Sequence, residues 1–333
     1  MIASRWIRYA LCAGAAIALS AGCSAQTPSQ LSTEQALLPS SPDDIVSGTG
    51  EFLGCPYQAG DVWQTKIVNA VLDPDSAANI QATIDGGGGS GFTASAPTTD
   101  ELINMASLRT PMVPVVGKVK WHTPYSPWPW ASNFYIEPLS DAHALVLQPE
   151  SCEYYEGYEV SYSGSGVLSM YNGGMWNLNK PFVRSQQGSI STASGIPIGL
   201  VAVRPEELTA GYIGHALGWN GVRNSWSQTA CVSPAAKTDC TDDIAYKGPA
   251  SDTPMPYGAH IRLRAGFNDS SFPKEAKVVA EALKRFGAYG YDTGCCNTIV
   301  FVNDSNGGPV WTQADASALS TITISNFDRV AAP

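Results

Sequence analysis

Short apolar runs, each interrupted by Gly, Pro, Asn or Asp, make up most of the chain from residue 51 onward. Such runs, bounded by turn-forming residues, are typical of strands in all-β domains. We therefore predict a mainly β fold, a two-sheet sandwich or jelly roll, in one globular domain over residues 51–333. The predicted strands cover 112–121, 143–148, 152–160, 167–172, 174–179, 196–203, 213–219, 259–267 and 298–303.

Segment 270–287 has helical rather than strand periodicity. It offers a capping serine, Pro273 in the first turn and Gly287 as the stop, around an apolar stripe of Val279, Leu283 and Phe286. We predict one C-terminal helix here, packed on the β structure. Shorter helices are predicted at 75–84 and 204–211, because each segment begins with residues that suit a first helical turn.

The N-terminus has the pattern of an export signal. Arg5 and Arg8 accompany an apolar run over 7–19, which is too short to cross a bilayer of roughly 30 Å. The following residues, 19–23, resemble the lipobox of bacterial lipoproteins, although Ser20 stands where leucine is usual. The resemblance implies a signal peptide over 1–22, lipidation of Cys23 and a lipid anchor in the cell envelope, in the outer membrane if the cell has one. Cleavage near Ala25 and free secretion is the alternative.

Residues 23–50 are rich in Ser, Thr, Pro and Gln and are predicted to form a flexible tether. The whole chain carries a formal net charge of −10 and no basic patch with interleaved aromatic residues, so we expect no nucleic-acid partner. Contact with a membrane is expected only through the lipid anchor. No Rossmann, Walker or G-x-S-x-G motif occurs, and no cofactor is expected.

Six cysteines follow the leader, and export to an oxidising compartment favours disulfides. Cys231 and Cys240 lie in one polar loop and are predicted to pair. The adjacent Cys295 and Cys296 are then predicted to reach Cys55 and Cys152, in an order that the sequence leaves open. A zinc site is not favoured, because no C-x₂-C pair is present.

Alternation along 152–160 separates three glutamates. Glu156 shares parity with Cys152, Tyr154 and Tyr158, whereas Glu153 and Glu159 belong to the other, more polar set. The preceding strand and 152–160 are predicted to form a hairpin, in which either Gln148 or Leu147 faces Cys152. Burial of two leucines, at about 1.5 to 3 kcal/mol each, favours the second register. That register places His143 opposite Glu156 on an inward face.

The same alternation sorts the other histidines. His215 shares parity with Ile213, Leu217 and Trp219 and is predicted to point inward, whereas His260 and His122 are predicted to point outward. An inward cluster of His143, Glu156 and His215 has three interpretations: a self-satisfied structural cluster, an acid/base site, or a two-histidine, one-carboxylate metal site. Asp292, Glu206 or Glu207 could supply a second carboxylate.

Segment 121–138 concentrates aromatic residues among three prolines, and proline excludes a central strand. Rings on such a loop can stack on sugars, and an acidic, aromatic surface suits a neutral or basic glycan. The alternative is that these rings cap one end of the β fold. The predicted substrate-binding residues are Trp121, Tyr125, Trp128 and Trp130.

Several segments, in order, resemble a family of uncharacterised secreted bacterial proteins with no settled activity: 61–80, 141–159, 195–217, 255–273 and 281–294. The resemblance implies a secreted single-domain protein. It adds Tyr155 and Arg204 to the predicted substrate-binding residues, since both match family motifs, as do His143, Cys152, Glu156, His215 and Asp292. The chain departs from the family after His215, where "GWNG" replaces a more strand-like continuation with a basic residue.

The leading prediction is an exported glycan-active enzyme, a hydrolase or lyase acting on a cell-envelope or other polysaccharide. Glu156 would be its general acid/base, His143 would orient that group, and His215 and Asp292 would assist. The second hypothesis is a non-catalytic carbohydrate-binding envelope protein. The third is a cupin-like metalloenzyme that holds a divalent transition metal with His143, Glu156 and His215.

Overall fold

The structure is a computed structural model that describes residues 51–56, 58, 61–95, 101–120, 123–164, 166–182, 187–189, 191–236, 253–304 and 311–331. The predicted signal peptide (1–22), Cys23 and the tether (23–50) lie outside these residues, as do Trp121, His122 and Cys240.

Strands outnumber helices in the described chain, and the prediction of a mainly β fold is confirmed. The strands are β1 (Glu51–Phe52), β2 (Cys55–Pro56), β3 (Thr93–Ala94), β4 (Glu101–Met105), β5 (Met112–Val113), β6 (Val115–Gly117), β7 (Trp128–Pro129), β8 (Ala144–Gln148), β9 (Glu153–Tyr158), β10 (Ser161–Tyr162), β11 (Leu168–Met170), β12 (Asn172–Asn177), β13 (Gln187–Ser189), β14 (Leu217–Val222), β15 (Trp226–Cys231), β16 (Met255–Tyr257), β17 (His260–Leu263), β18 (Ala288–Gly294), β19 (Thr298–Ile299), β20 (Val302–Asp304) and β21 (Phe327–Val330).

The α-helices are α1 (Ser76–Thr83), α2 (Ile198–Val201), α3 (Pro205–Ala210), α4 (Lys274–Arg285) and α5 (Gln313–Leu319). The predicted helices at 75–84, 204–211 and 270–287 are confirmed as α1, α3 and α4. Gly287 ends α4 with a φ of +70°, a conformation that favours glycine, and an added Cβ would come within 2.3 Å of the Ile261 carbonyl oxygen.

The predicted strand over 196–203 is wrong, because α2 occupies its centre. All residues from 191 to 204 are buried, and a short apolar run cannot by itself distinguish a buried strand from a buried helical turn. Pro197 immediately precedes α2, with backbone angles (φ −65°, ψ 132°) that suit the residue before a helix.

Two six-stranded sheets carry most of the fold. The first has the order β13-β12-β9-β8-β4-β20 and the second the order β21-β17-β18-β14-β19-β3. Both sheets are mixed: β4 runs parallel to β8 and β20 in the first, and β14 runs parallel to β18 in the second. Parallel neighbours need long crossover connections, and α4 lies in the connection between β14 and β18, whereas α2 and α3 lie in the connection from the first sheet to the second.

Both faces of the first sheet are covered. On one face Leu145, Leu147 and Tyr154 join the main hydrophobic cluster, which also receives side chains from the second sheet. On the other face Val146 and Tyr155 join a second cluster with buried aromatic residues of 121–138. The strand pair β8–β9 is therefore central, and a polar side chain on either of its faces must find its partners inside the protein.

The hairpin register differs from the prediction by two residues. Leu147 pairs with Tyr154 and Leu145 with Glu156, so His143 is aligned with Tyr158 and lies one step along the same face from Glu156. The face assignment holds, because a shift of two residues preserves parity. The loop over 149–152 turns with Cys152 at a φ of +52°, which removes Cys152 from the ladder.

The predicted disulfide pairing is wrong for four cysteines. Cys55 and Cys152 are bonded to each other, with their Cα atoms 5.5 Å apart, since the β1–β2 hairpin lies against the 149–152 loop. Cys295 and Cys296 are free thiols in the connection between β18 and β19. The predicted Cys231–Cys240 bond lies outside the described residues because Cys240 does.

Candidate functional site

Glu156 lies at the centre of a polar cluster inside the protein. Its side chain is 0% exposed, and one oxygen accepts hydrogen bonds from the Tyr154 hydroxyl (2.6 Å) and the Ile198 backbone N–H (2.7 Å). The Ser191 hydroxyl donates to the other oxygen. Both carboxyl oxygens are thus occupied by donors from β9, the 191–197 segment and the start of α2, and no face of the group is open to a substrate.

Tyr154 links Glu156 to α2. Its hydroxyl accepts the Gly199 N–H at 3.1 Å while donating to Glu156. A Cβ at Gly199 would come within 2.8 Å of this hydroxyl, so glycine permits the close approach of helix and strand. The sequence singled out Glu156 through strand parity, but gave no sign that a helical turn would cover it.

His143 lies beside two glutamates that the sequence analysis missed. Its Nδ1 is 3.6 Å from Glu101 Oε1 and 3.5 Å from Glu137 Oε2, and all three residues are largely buried. The His143 backbone N–H also donates to Glu137 at 3.0 Å. Glu101 could have been found, since it shares parity with the core residue Ile103, which pairs with Leu145.

The pKa values of His143 and Glu156 are both raised, but by different causes. Burial lowers the pKa of His143, but the contact with Glu101 and the charges of Glu101, Asp292 and Glu137 outweigh it and raise the pKa to about 9. Burial raises the pKa of Glu156 to about 7, against the hydrogen bonds from Ser191 and Tyr154 and the charge of His143. Near neutral pH the cluster therefore retains protons that exposed groups would lose.

Asp292 belongs to the margin of this cluster. Its Oδ1 accepts hydrogen bonds from the backbone N–H groups of Ala193 (3.2 Å) and Thr293 (2.8 Å). Its charge raises the pKa of His143, which places it within electrostatic reach of the predicted pair. The 191–198 segment thus connects Asp292 on β18 with Glu156 on β9.

His215 is buried as predicted but belongs to a different cluster. Its Nε2 is 2.9 Å from Glu207 Oε1, and Nδ1 is 2.9 Å from the Ala216 carbonyl oxygen. Arg204 donates to the same Glu207 oxygen at 2.5 Å. Burial raises the pKa of Glu207, yet the charges of Arg204 and His215 and their hydrogen bonds lower it overall. The predicted convergence of His215 with His143 and Glu156 is not found.

The two clusters do not form a metal site. In the part of the chain that the structure describes, no group of three or more His, Cys, Asp or Glu side chains could hold a metal ion. Glu207 on Nε2 and the Ala216 carbonyl oxygen on Nδ1 occupy both ring nitrogens of His215, so neither is left for a metal.

The prediction for His260 is wrong. Its side chain is only 3% exposed, it stacks on Tyr289 with ring centroids 3.9 Å apart, and its Nε2 is 2.6 Å from the Phe286 carbonyl oxygen. Burial lowers the pKa of His260 to about 4. Parity placed it with Arg262 and Arg264, but both sides of β17 are covered here, so parity does not separate inside from outside.

Four of the predicted substrate-binding residues are buried and unavailable to a glycan. Trp128 and Trp130 pack in the second hydrophobic cluster with Tyr155, and Arg204 lies over the Phe52 ring in the interior. Tyr125 is half-buried at the edge of the same cluster, and Trp121 lies outside the described residues. The prolines correctly excluded a long strand from segment 121–138. Its tryptophan rings, however, pack in the core against the first sheet.

A cleft that the sequence did not indicate lies beside α2, which contributes Leu200 to its lining. It is an open depression of about 280 Å³ including the solvent at its mouth, of which about 10 Å³ is enclosed. It is lined by Asp61, Trp63, Trp176, Asn177, Leu178, Lys180, Phe182 and Leu200. Trp63 packs edge-on against Phe182, with ring centroids 4.8 Å apart. Its indole N–H is buried and has no hydrogen-bond partner within the described structure.

The cleft also contains a carboxylate with remaining capacity to accept hydrogen bonds. Asp61 Oδ1 accepts the Phe182 N–H and Oδ2 accepts the Gln58 N–H, each at 3.1 Å, whereas an ionised carboxylate has about four acceptor positions. Leu200 of α2 lines the cleft, and Ile198 at the start of the same helix holds Glu156. The same helical turn therefore contributes to both the cleft and the buried polar cluster, and Tyr154 of the cluster packs against Trp176 of the cleft, with ring centroids 5.9 Å apart.

No helix within the described ranges is long and apolar enough to cross a membrane. Comparison of the chain with known proteins found no match to a family model, to a curated protein or to a solved structure. The resemblance to uncharacterised secreted proteins therefore stays a prediction.

Proposed function

We propose that this chain is an exported, non-catalytic carbohydrate-binding protein of the cell envelope, with its binding site in the cleft beside Trp63. The observation that carries the proposal is the unpaired indole N–H of Trp63 in an aromatic-walled cleft. A buried polar group without a partner costs about 1 to 3 kcal/mol, and a ligand acceptor placed there would recover that cost.

The cleft residues match the two chemical faces of a sugar ring. The half-buried ring of Phe182 provides apolar surface for C–H groups, with the buried rings of Trp63 and Trp176 in the wall of the cleft, and Asp61 and Asn177 provide acceptors and donors for hydroxyl groups. Only about 10 Å³ of the cleft is enclosed, roughly the space of one water, so we propose that a single sugar ring rests on its open mouth rather than inside it.

Charge favours a glycan without a high negative charge. The chain has a net charge of −10, and the cleft contributes one carboxylate, Asp61, and one exposed ammonium group, Lys180. A polyanion would be repelled by the whole surface, whereas a neutral or basic sugar would not. Glycans of the envelope or of a surrounding matrix are consistent with export through the proposed leader.

We propose that the two six-stranded sheets form a sandwich, since the main hydrophobic cluster takes side chains from both. We also propose export, with lipidation of Cys23, on the basis of the leader sequence.

The test compares two tryptophans that both have an unpaired indole N–H in the core. Trp63→Phe and Trp128→Phe each remove that donor and keep an aromatic ring, but only Trp63 lines the cleft. Migration in gels containing neutral polysaccharides, followed by calorimetric titration with the component monosaccharides, would measure binding. We expect Trp63→Phe to weaken affinity about 3- to 10-fold, as for loss of one hydrogen bond, and Trp128→Phe to leave it unchanged. Equal affinities in both variants, or no glycan bound by the wild type, would overturn the proposal.

A glycan-active enzyme that uses Glu156 and His143 is the second candidate. It is favoured by the retention of protons near neutral pH, which general acid catalysis requires. Reducing-end and unsaturated-product assays on a polysaccharide panel would test it. Activity that is abolished in Glu156→Gln, with unchanged stability, would favour the enzyme over the binding protein.

A further inference from the structure

Cys295 and Cys296 are adjacent in the sequence and are both free thiols, whereas Cys55 and Cys152 of the same chain are bonded. Cys295 is exposed and Cys296 is half-buried. The pair follows directly after β18 and precedes Asn297, so it occupies a short connection between two strands of the second sheet.

Fixed residues flank the cysteine pair. Asn297 is fully buried; it accepts the Trp219 indole N–H at 3.1 Å and donates to the Gly88 carbonyl oxygen at 2.7 Å. On the other side Gly294 closes β18 and is aligned with Val222 of β14. The two thiols therefore lie close to each other, within hydrogen-bond distance, in a loop whose two ends are fixed.

We propose that Cys295 and Cys296 form a reversible vicinal disulfide, a redox-sensitive modification site on the surface of this protein. Adjacent Cα atoms are about 3.8 Å apart across a trans peptide, whereas disulfides usually join Cα atoms about 4.4 to 6.8 Å apart. The bond is therefore strained, and strained, exposed disulfides are reduced more easily than structural ones. Cys55–Cys152, with Cα atoms 5.5 Å apart, lies within the usual range.

The reaction is an exchange with a small disulfide such as glutathione disulfide. The Cys295 thiolate, on the exposed residue, attacks one sulfur of the oxidant to form a mixed disulfide and releases the first glutathione. The Cys296 thiolate then attacks the Cys295 sulfur and releases the second glutathione. Two electrons pass from the cysteine pair to the oxidant, and the two thiol protons end on the two glutathione molecules.

The hydrogen bond between the two thiols, burial and the charge of Cys295 raise the pKa of Cys296. This direction agrees with a second step that becomes faster at alkaline pH, when Cys296 loses its proton. The proposal is independent of glycan binding, because no cysteine of this pair lines the cleft.

The test begins by equilibrating the full chain in glutathione buffers with a series of redox ratios. Free thiols are then alkylated, the chain is digested with trypsin, and the peptide masses are measured by mass spectrometry. Trypsin cleaves after Arg285 and Arg329, so both cysteines fall on peptide 286–329, which contains no other cysteine. We expect this peptide to lose two hydrogen atoms on oxidation. We also expect dithiothreitol to restore it at a concentration at least about tenfold below that which reduces Cys55–Cys152.

Two variants make the test specific. Cys296→Ser should accumulate glutathione on Cys295, because the second step is removed, and Cys231→Ser should behave as the wild type. Oxidised Cys295 or Cys296 linked to Cys231, to Cys240 or to a second chain would overturn the proposal. So would a pair that stays reduced in buffers that keep Cys55–Cys152 oxidised.

Discussion

The buried cluster around Glu156 and the cleft beside Trp63 both contact one helical turn, α2, but they differ in how their polar groups are paired. In the cluster, three donors from different elements converge on one carboxyl group. In the cleft, the indole N–H of Trp63 has no partner among the described residues, and Asp61 retains acceptor capacity. The comparison shows that a rare inward carboxylate is a poor guide to function when its neighbours already satisfy it.

The largest expected effect is on stability, at Glu156. Glu156→Ala leaves the Tyr154 hydroxyl, the Ser191 hydroxyl and the Ile198 N–H without their shared acceptor. We expect a loss of about 3 to 5 kcal/mol in the free energy of unfolding, measured with urea. Glu153→Ala on the same strand removes one hydrogen bond, which the Tyr155 hydroxyl donates, and should lower the free energy of unfolding by about 1 kcal/mol. Equal losses in the two variants would show that the cluster is not a structural centre.

The next effect is a dependence of stability on pH. The folded protein holds the Glu156 proton to a pKa of about 7 and the His143 proton to a pKa of about 9, above the ordinary values of 4.5 and 6.5 for these groups. Folded protein therefore binds more protons than unfolded protein, and each group's contribution is lost as pH rises through its window. We expect about 3 kcal/mol for each group.

Buried His260 has a lowered pKa, so its contribution to stability rises with pH between 4 and 6.5, opposite to those of Glu156 and His143. The quantity to measure is therefore the difference in the free energy of unfolding between variant and wild type. The stability of Glu156→Gln relative to wild type should rise between pH 4.5 and 7, and that of His143→Gln between pH 6.5 and 9. A difference that is independent of pH would contradict the protonated cluster.

Changes in the cleft should affect binding, and at Asp61 also stability by about 1 kcal/mol, because both of its oxygens accept backbone N–H groups. Asp61→Asn keeps the shape of the side chain but replaces one acceptor oxygen by an NH₂ group, and we expect a loss of about 3- to 10-fold in affinity for a neutral monosaccharide. Calorimetric titration would measure it. If Asp61→Asn binds as well as the wild type, Asp61 does not accept a ligand hydroxyl.

The smallest effect is expected at the rim. Lys180 is exposed, and Lys180→Met should change the free energy of unfolding by less than about 0.5 kcal/mol and glycan affinity by about 2-fold or less. A large loss of affinity on this change would indicate that the ligand is anionic rather than neutral.

Local rules predicted more of the fold than of the site. Capping residues and Gly287 located α4, and the strand parity of Glu156 identified the buried face of β9, since these depend on neighbours in the sequence. Local rules predicted exposed positions for Trp128, Trp130 and His260, which are buried, and a strand over 196–203, which contains a helical turn. Whether both faces of a strand or a whole loop are buried depends on contacts distant in the sequence. The cleft joins residues 61, 176 and 200, which no local pattern relates.

We propose that ligand binding depends on the cleft and not on the buried cluster. Calorimetric titration of wild type, Trp63→Phe and Glu156→Gln with the tightest glycan from the panel would test this most directly, at a pH where all three are folded. We predict that affinity falls about 3- to 10-fold in Trp63→Phe and is unchanged in Glu156→Gln. Unchanged affinity in Trp63→Phe together with loss of binding in Glu156→Gln would contradict the account.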